Sequence, residues 1–107
     1  MEVKIYQTSS KKQPFLEWFD GIKDSKAQNA IKARLARLQS GNRGDWKPIQ
    51  GTDGEIFELR LMIGPGYRLY CAQDGETIII LLCAGIKGTQ AKDIQKAKGY
   101  WDDFKSN

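Results

Sequence analysis

The sequence predicts an α+β fold: a small antiparallel sheet, with two helices preceding it in the chain and one following it. Three observations lead there. Apolar residues recur at helical spacing from Pro14 to Leu38, the pattern changes to alternation punctuated by glycine from Trp46 to Ala84, and helical spacing returns after Thr89. Such an order packs helices against one face of a sheet. At 107 residues the chain fits a single domain, residues 1–107, and shows no repeat, low-complexity tract or linker.

Val3, Ile5 and Tyr6 predict a short first strand, at an edge or paired late. Gln13-Pro14 opens a brief helix with proline in its first turn, Phe15, Leu16, Trp18 and Phe19 supply its apolar side, and Gly21 stops it. A second helix starts at Ser25, whose spacing to Gln28 matches a capping box, and carries Ala27, Ile31, Leu35 and Leu38 as far as Ser40-Gly41. Four strands follow, Trp46–Ile49, Glu55–Ile63, Gly66–Gln73 and Thr77–Ala84, separated by turn-forming glycines and forming an antiparallel meander. Thr89 then caps a last helix in which Ile94, Ala97, Trp101 and Phe104 form one stripe.

Charge and composition narrow the chemistry. Lys+Arg total 17 against 13 Asp+Glu, a net charge of +4, which favours an anionic partner. With no histidine there is no histidine-based triad. Carboxylates with two-metal spacing and a Walker loop are missing too, so no metal or cofactor is expected. Cys71 and Cys83 lie inside apolar runs without CxxC spacing and read as core residues of a protein in a reducing compartment. The start MEVKIYQTSS has no apolar segment of signal-peptide type, and no run approaches the ~20 residues of a membrane span. The expected location is the cytoplasm, away from membranes.

The strands themselves carry the candidate site. Phe57, Leu59 and Leu61 alternate with Glu58 and Arg60, and Tyr67, Leu69 and Cys71 alternate with Arg68 and Tyr70. Burying both apolar sets on one side predicts a register with Leu61 opposite Leu69, Leu59 opposite Cys71, and Arg60 opposite Tyr70. Arg60, Arg68 and Tyr70 then share the other, open face, where two guanidinium forks suit a phosphate. Glu58 projects from that face as well, so a surface salt bridge with one arginine is the competing reading.

The run IIILLCAGIKGTQ, apolar on both faces, predicts a central strand that exits at Gly85-Ile86-Lys87-Gly88-Thr89. Lys87, between two glycines and just before a helix N-terminus, is placed either to bind an anion or simply to end an ordinary turn in solvent. Lys32, Arg34 and Arg37 line the polar side of the second helix, with Arg43 and Lys47 soon after. That stripe reads as a solvated helix face, as a track for phosphates, or as a docking site for an acidic partner.

FELRL, GPGYRLYCA, IIILLCAGIKGTQ and DIQKAKGYW, together with PFLEWFDGIKD and LARLQSGNRGDWKPIQG upstream, resemble the RelE/ParE superfamily of type II toxins, in particular its HigB-like, phage-derived branch. The resemblance implies a compact toxin that enters the ribosomal A site and cleaves messenger RNA without metal. It assigns Arg60, Arg68 and Lys87 to binding the scissile phosphate and assisting attack by the ribose 2'-hydroxyl; Tyr70, Lys47 and Arg43 are the supporting RNA-binding candidates beside them. The branch often has a polar residue where Ile86 stands. Tyr70 and Lys87 are the candidates for general base.

The same resemblance implies a cognate helix-turn-helix antitoxin, which Lys32, Arg34 and Arg37 would contact, and operator DNA bound only by the toxin–antitoxin complex. Two other outcomes share the fold: a ParE-like inhibitor of DNA gyrase, and a non-catalytic module binding RNA or protein.

Overall fold

The computed structural model describes every residue from Met1 to Asn107. Eight elements follow one another: β1 (Glu2–Ile5), α1 (Pro14–Asp20), α2 (Ser25–Gln39), β2 (Trp46–Pro48), β3 (Ile56–Leu61), β4 (Tyr67–Asp74), β5 (Ile78–Ile86) and α3 (Gln90–Ser106). A single 3₁₀ turn, Lys87–Thr89, joins β5 to α3. The five strands form one sheet in the order β1-β5-β4-β3-β2. β2 to β5 make the expected antiparallel meander, and β1 joins it at the edge, parallel to β5. No helix is long and apolar enough to cross a membrane.

The two faces of the sheet are covered by different helices. Phe15 of α1 and Ala27, Ile31 and Leu38 of α2 pack on Phe57, Leu59, Leu69, Cys71 and Leu81. Ala97 and Trp101 of α3 pack on Ile56, Tyr70, Ala72, Ile80 and Leu82 from the other side. The expectation of helices on one face is therefore corrected to a three-layer sandwich. Each apolar stripe needs its own surface to bury, at roughly 1.5–3 kcal/mol per large side chain, and the α1–α2 side is already filled.

The structure departs from the local sequence signals at two places. Asp24, not Ser25, caps α2: its carboxylate accepts from the Lys26 N–H at 2.9 Å, while the Gln28 amide donates to the Phe19 carbonyl at 3.2 Å instead of closing a capping box. In the β3–β4 hairpin Leu59 faces Leu69 and Arg60 faces Arg68. This differs by two residues from the expected pairing, because the hairpin is centred one residue earlier, on Gly64, with the Gly66 N–H donating to the Ile63 carbonyl at 2.9 Å. Since side chains alternate with a period of two, a two-residue shift leaves each on the same face.

β5 carries one extra residue against β4: Tyr70 faces Cys83 while Cys71 faces Leu81. This bulge turns both Leu82 and Cys83 toward the α3 side. Beyond it, Gly85 lies beside Arg68.

Candidate functional site: a cationic end of the sheet

Arg60, Arg68 and Gly85 sit side by side on β3, β4 and β5, at the end of the sheet where β5 runs into Lys87. The turn between β3 and β4 comes back to meet that exit. The Lys87 N–H donates to the Gly66 carbonyl at 2.7 Å. Gly66, at φ +80°, lies so close that a Cβ there would be 3.4 Å from the Lys87 Cβ and 4.0 Å from Arg68 Nη1. Lys87 and Arg68 thus flank the same glycine, which adopts the turn's left-handed backbone without strain.

The face on which Arg68 lies is not open, as expected from the strands alone, but covered by α3. Arg68 is 4% exposed, Glu58 2%, and Tyr70 fully buried. Arg60 alone stays accessible, with its side chain 34% exposed. Its Nη2 donates to Asp45 Oδ1 at 3.1 Å, while its backbone N–H donates to the Asp45 carbonyl at 2.9 Å.

Arg68 has no such partner. Its Nη1 reaches only the Tyr67 carbonyl at 3.4 Å and Met62 Sδ at 3.9 Å, and its Nε has no acceptor. Neither Arg68 nor Lys87 is in an ion pair. A buried guanidinium without a carboxylate is costly, on the order of several kcal/mol even after the surroundings relax, and such a charge attracts any anion that can reach it.

The carboxylates nearby are engaged elsewhere. Glu58 pairs with no arginine, contrary to the surface salt bridge considered above; both its oxygens accept from Gln90 Nε2, at 3.2 and 2.9 Å. Asp93, 8% exposed, accepts from the Thr89 hydroxyl. Gln90 and Asp93 were not anticipated. Both lie in the first turn of α3, where the sequence shows an acid near a helix N-terminus but not the strand it leans on.

Burial pushes the Tyr70 phenol well above its ordinary range, and the neighbouring Glu58 and Asp93 add to this while Arg68 opposes it. Its hydroxyl has no hydrogen-bond partner. A phenol held protonated this firmly is no proton acceptor at neutral pH.

Of the supporting residues, Lys47 faces Glu58 across β2 and β3 and shares a 480 Å³ cavity with Glu58 and Gln90. Arg43 belongs to the opposite face. Its guanidinium lies 3.9 Å from the Phe57 ring centre and 4.6 Å from that of Trp46, and donates to Gln73 Oε1 at 2.8 Å.

The α2 stripe is also partly occupied. Arg34 donates to the Asp45 carbonyl at 3.3 Å and packs against Gly44, and burial beside Arg37 lowers its pKa. Lys32 lies over the Phe19 ring, and Arg37 is exposed. None of the surface cavities is lined by Arg60, Arg68 or Lys87. No three His, Cys, Asp or Glu side chains converge as metal ligands would.

Residues 17–100 match the model of a family described as "Phage derived protein Gp49-like (DUF891)". The chain is 48% identical over 84 residues to an "Uncharacterized protein" of Haemophilus influenzae, an alignment covering 78% of this chain and 82% of that one. With most of its length matched, the chain belongs to the Gp49-like phage-derived family, a toxin family of the RelE/Gp49 type.

Proposed function

We propose that the chain is the toxin of a type II toxin–antitoxin system, of the HigB-like branch, and that it cleaves messenger RNA on the ribosome in the cytoplasm without a metal ion. The observation that carries this reading is Arg68: buried, lacking any carboxylate partner, and flanking Gly66 together with the unpaired Lys87.

In this reading the Arg68 guanidinium takes the scissile phosphate and stabilises the extra negative charge that develops on its oxygens. The ribose 2'-oxygen attacks phosphorus as its proton passes to solvent, the bond to the 5'-oxygen breaks and that oxygen gains a proton, and a 2',3'-cyclic phosphate and a free 5'-hydroxyl result. Lys87 supplies positive charge, or a proton, to the departing 5'-oxygen. Arg60, held by Asp45, contacts the flanking backbone, and Lys47 extends the cationic track. Tyr70 supports the site by packing. A helix-turn-helix antitoxin silences the toxin, and the pair binds operator DNA.

The test is induced expression of the wild type, Arg68→Ala and Lys87→Ala, followed by growth curves and primer extension on cellular transcripts. Loss of one transition-state contact of this kind lowers cleavage by roughly 10²–10³-fold. Undiminished growth arrest and cleavage by Arg68→Ala overturns the assignment. Broken DNA with intact transcripts identifies a gyrase poison instead, and no growth effect from the wild type identifies a binding module.

A further inference from the structure

Glu58 is 2% exposed, yet it lines the 480 Å³ cavity formed by β2, β3 and α3. Its two oxygens share a single donor, Gln90 Nε2, at 3.2 and 2.9 Å. A carboxylate offers about four acceptor positions, so part of its capacity is unused. Lys47 stands opposite Glu58 in the ladder without closing an ion pair; the ion pairs of this chain are Arg60–Asp45 and Lys105–Glu55. A buried carboxylate left short of donors is stabilised by a ligand that brings it N–H groups.

The rest of the cavity restricts that ligand. Lys47 and Lys98 both line it and neither is in an ion pair, so a buried acid sits among free ammonium groups. Pro48 and Ile94 add apolar surface. A cationic side chain from another protein suits Glu58 but is repelled by the two lysines. A nucleotide satisfies both, with a neutral base for the carboxylate and phosphates for the lysines. Among the bases only guanine sets two donors side by side, N1–H and the N2 amino group, to match the two oxygens of a carboxylate. Adenine and cytosine have a ring acceptor beside the amino group, and uracil flanks its N–H with carbonyls, so each turns an acceptor toward Glu58.

Glu58 and Arg60 project from the same side of β3, opposite Tyr70 and Arg68. Two residues along a strand span about 7 Å. We propose that this cavity reads a guanine of RNA, in the nucleotide next to the phosphate held by Arg68. Glu58 accepts from N1–H and N2–H, Gln90 keeps the carboxylate in place, and Lys47 and Lys98 take the flanking phosphates. The inference rests on the RNA reading proposed above and adds a base preference to it.

The experiment titrates the isotope-labelled full-length chain with GMP, IMP and AMP and follows amide signals by nuclear magnetic resonance. IMP keeps the phosphate and N1–H but lacks the N2 amino group. GMP is expected to shift the Gln90 side-chain amide and the Ile94 and Lys98 backbone signals, and to bind roughly tenfold or more tightly than IMP or AMP. Glu58→Gln removes the preference, because its amide puts a donor where the base brings one, and Lys98→Glu weakens GMP. Circular dichroism checks folding; with Glu58→Gln unfolded, the GMP–IMP comparison in wild type and the loss in Lys98→Glu decide. The proposal is overturned by equal affinity for GMP and IMP, by shifts elsewhere, by a preference that survives in folded Glu58→Gln, by wild-type binding in Lys98→Glu, or by no binding at about 10 mM. Uridine hexamers carrying one guanosine or one inosine separate RNA from a free nucleotide: the guanosine hexamer is expected to bind about tenfold more tightly, and equal binding overturns the RNA assignment. Transcript cleavage is measured separately. A wild type that cleaves nothing refutes the toxin reading and not the guanine preference, whereas a cleaving wild type without that preference refutes this inference alone.

Discussion

The Asp93 carboxylate rests on the backbone of Gly85: a Cβ at that glycine would lie 1.8 Å from Asp93 Oδ2 and 3.1 Å from the Thr89 hydroxyl. The glycine is there for space, and it lets the first turn of α3 close onto β5 beside Arg68. Gly85→Ala is expected to cost about 2–3 kcal/mol, as other overpacked sites do. The melting temperature should fall by roughly 10 °C for a domain of this size. Thermal denaturation of Gly85→Ala against the double variant Gly85→Ala/Asp93→Ala checks the cause, since removing the carboxylate restores part of the loss.

Arg68 is expected to separate stability from activity. Arg68→Met keeps the stem packed and removes an unpaired buried charge, so the melting temperature should stay level or rise. Growth arrest should disappear with it. A folded, inactive Arg68→Met is the expected result; a variant that is markedly less stable than wild type would mean the guanidinium holds the fold together.

Arg43 makes the opposite prediction. Its contacts with Trp46, Phe57 and Gln73 are all within the fold, so Arg43→Ala should lose about 1–2 kcal/mol in urea denaturation. Arg43→Lys should recover little, because an ammonium has no planar face to stack on the rings.

Both thiols are buried, and burial pushes their pKa upward, that of Cys83 to about 12. Reaction with a thiol reagent at pH 8 should be negligible in the native protein and complete in denaturant. Rapid native labelling of either cysteine would contradict this packing.

Alkali should unfold the protein through its tyrosines. Burial, with Asp103 accepting from the hydroxyl, raises the Tyr6 pKa from 10.0 to about 12. A phenol whose folded pKa lies above its unfolded value contributes stability in full below pH 10, and that contribution is lost as pH rises toward 12. The slope of stability against pH in this window should flatten in Tyr6→Phe, as measured by urea titrations at several pH values.

Much of the fold is legible in the chain, and the reason is local. Helical spacing placed α1, α2 and α3 to within a residue or so, and alternation assigned Arg60, Arg68, Glu58 and Tyr70 to one face even though the strand pairing slipped by two residues. Face depends only on odd and even position, and a register set by turn geometry does not alter it when the slip is even. Gly85 and Gly88 likewise mark the exit of β5 at Lys87.

Tertiary structure alone decided which face each helix covers, and so which arginine is buried. Nothing near Arg68 in sequence announces that α3, more than twenty positions later, lies across it, that Gln90 takes Glu58 from it, or that the β5 bulge places Gly85 beneath Asp93. The same holds for the cavity beside Glu58 and for Arg43 stacking on the opposite side. Spacing records the period of a local element, whereas these relationships arise from competition among distant apolar stripes for the two faces of one sheet, settled only when the whole chain packs.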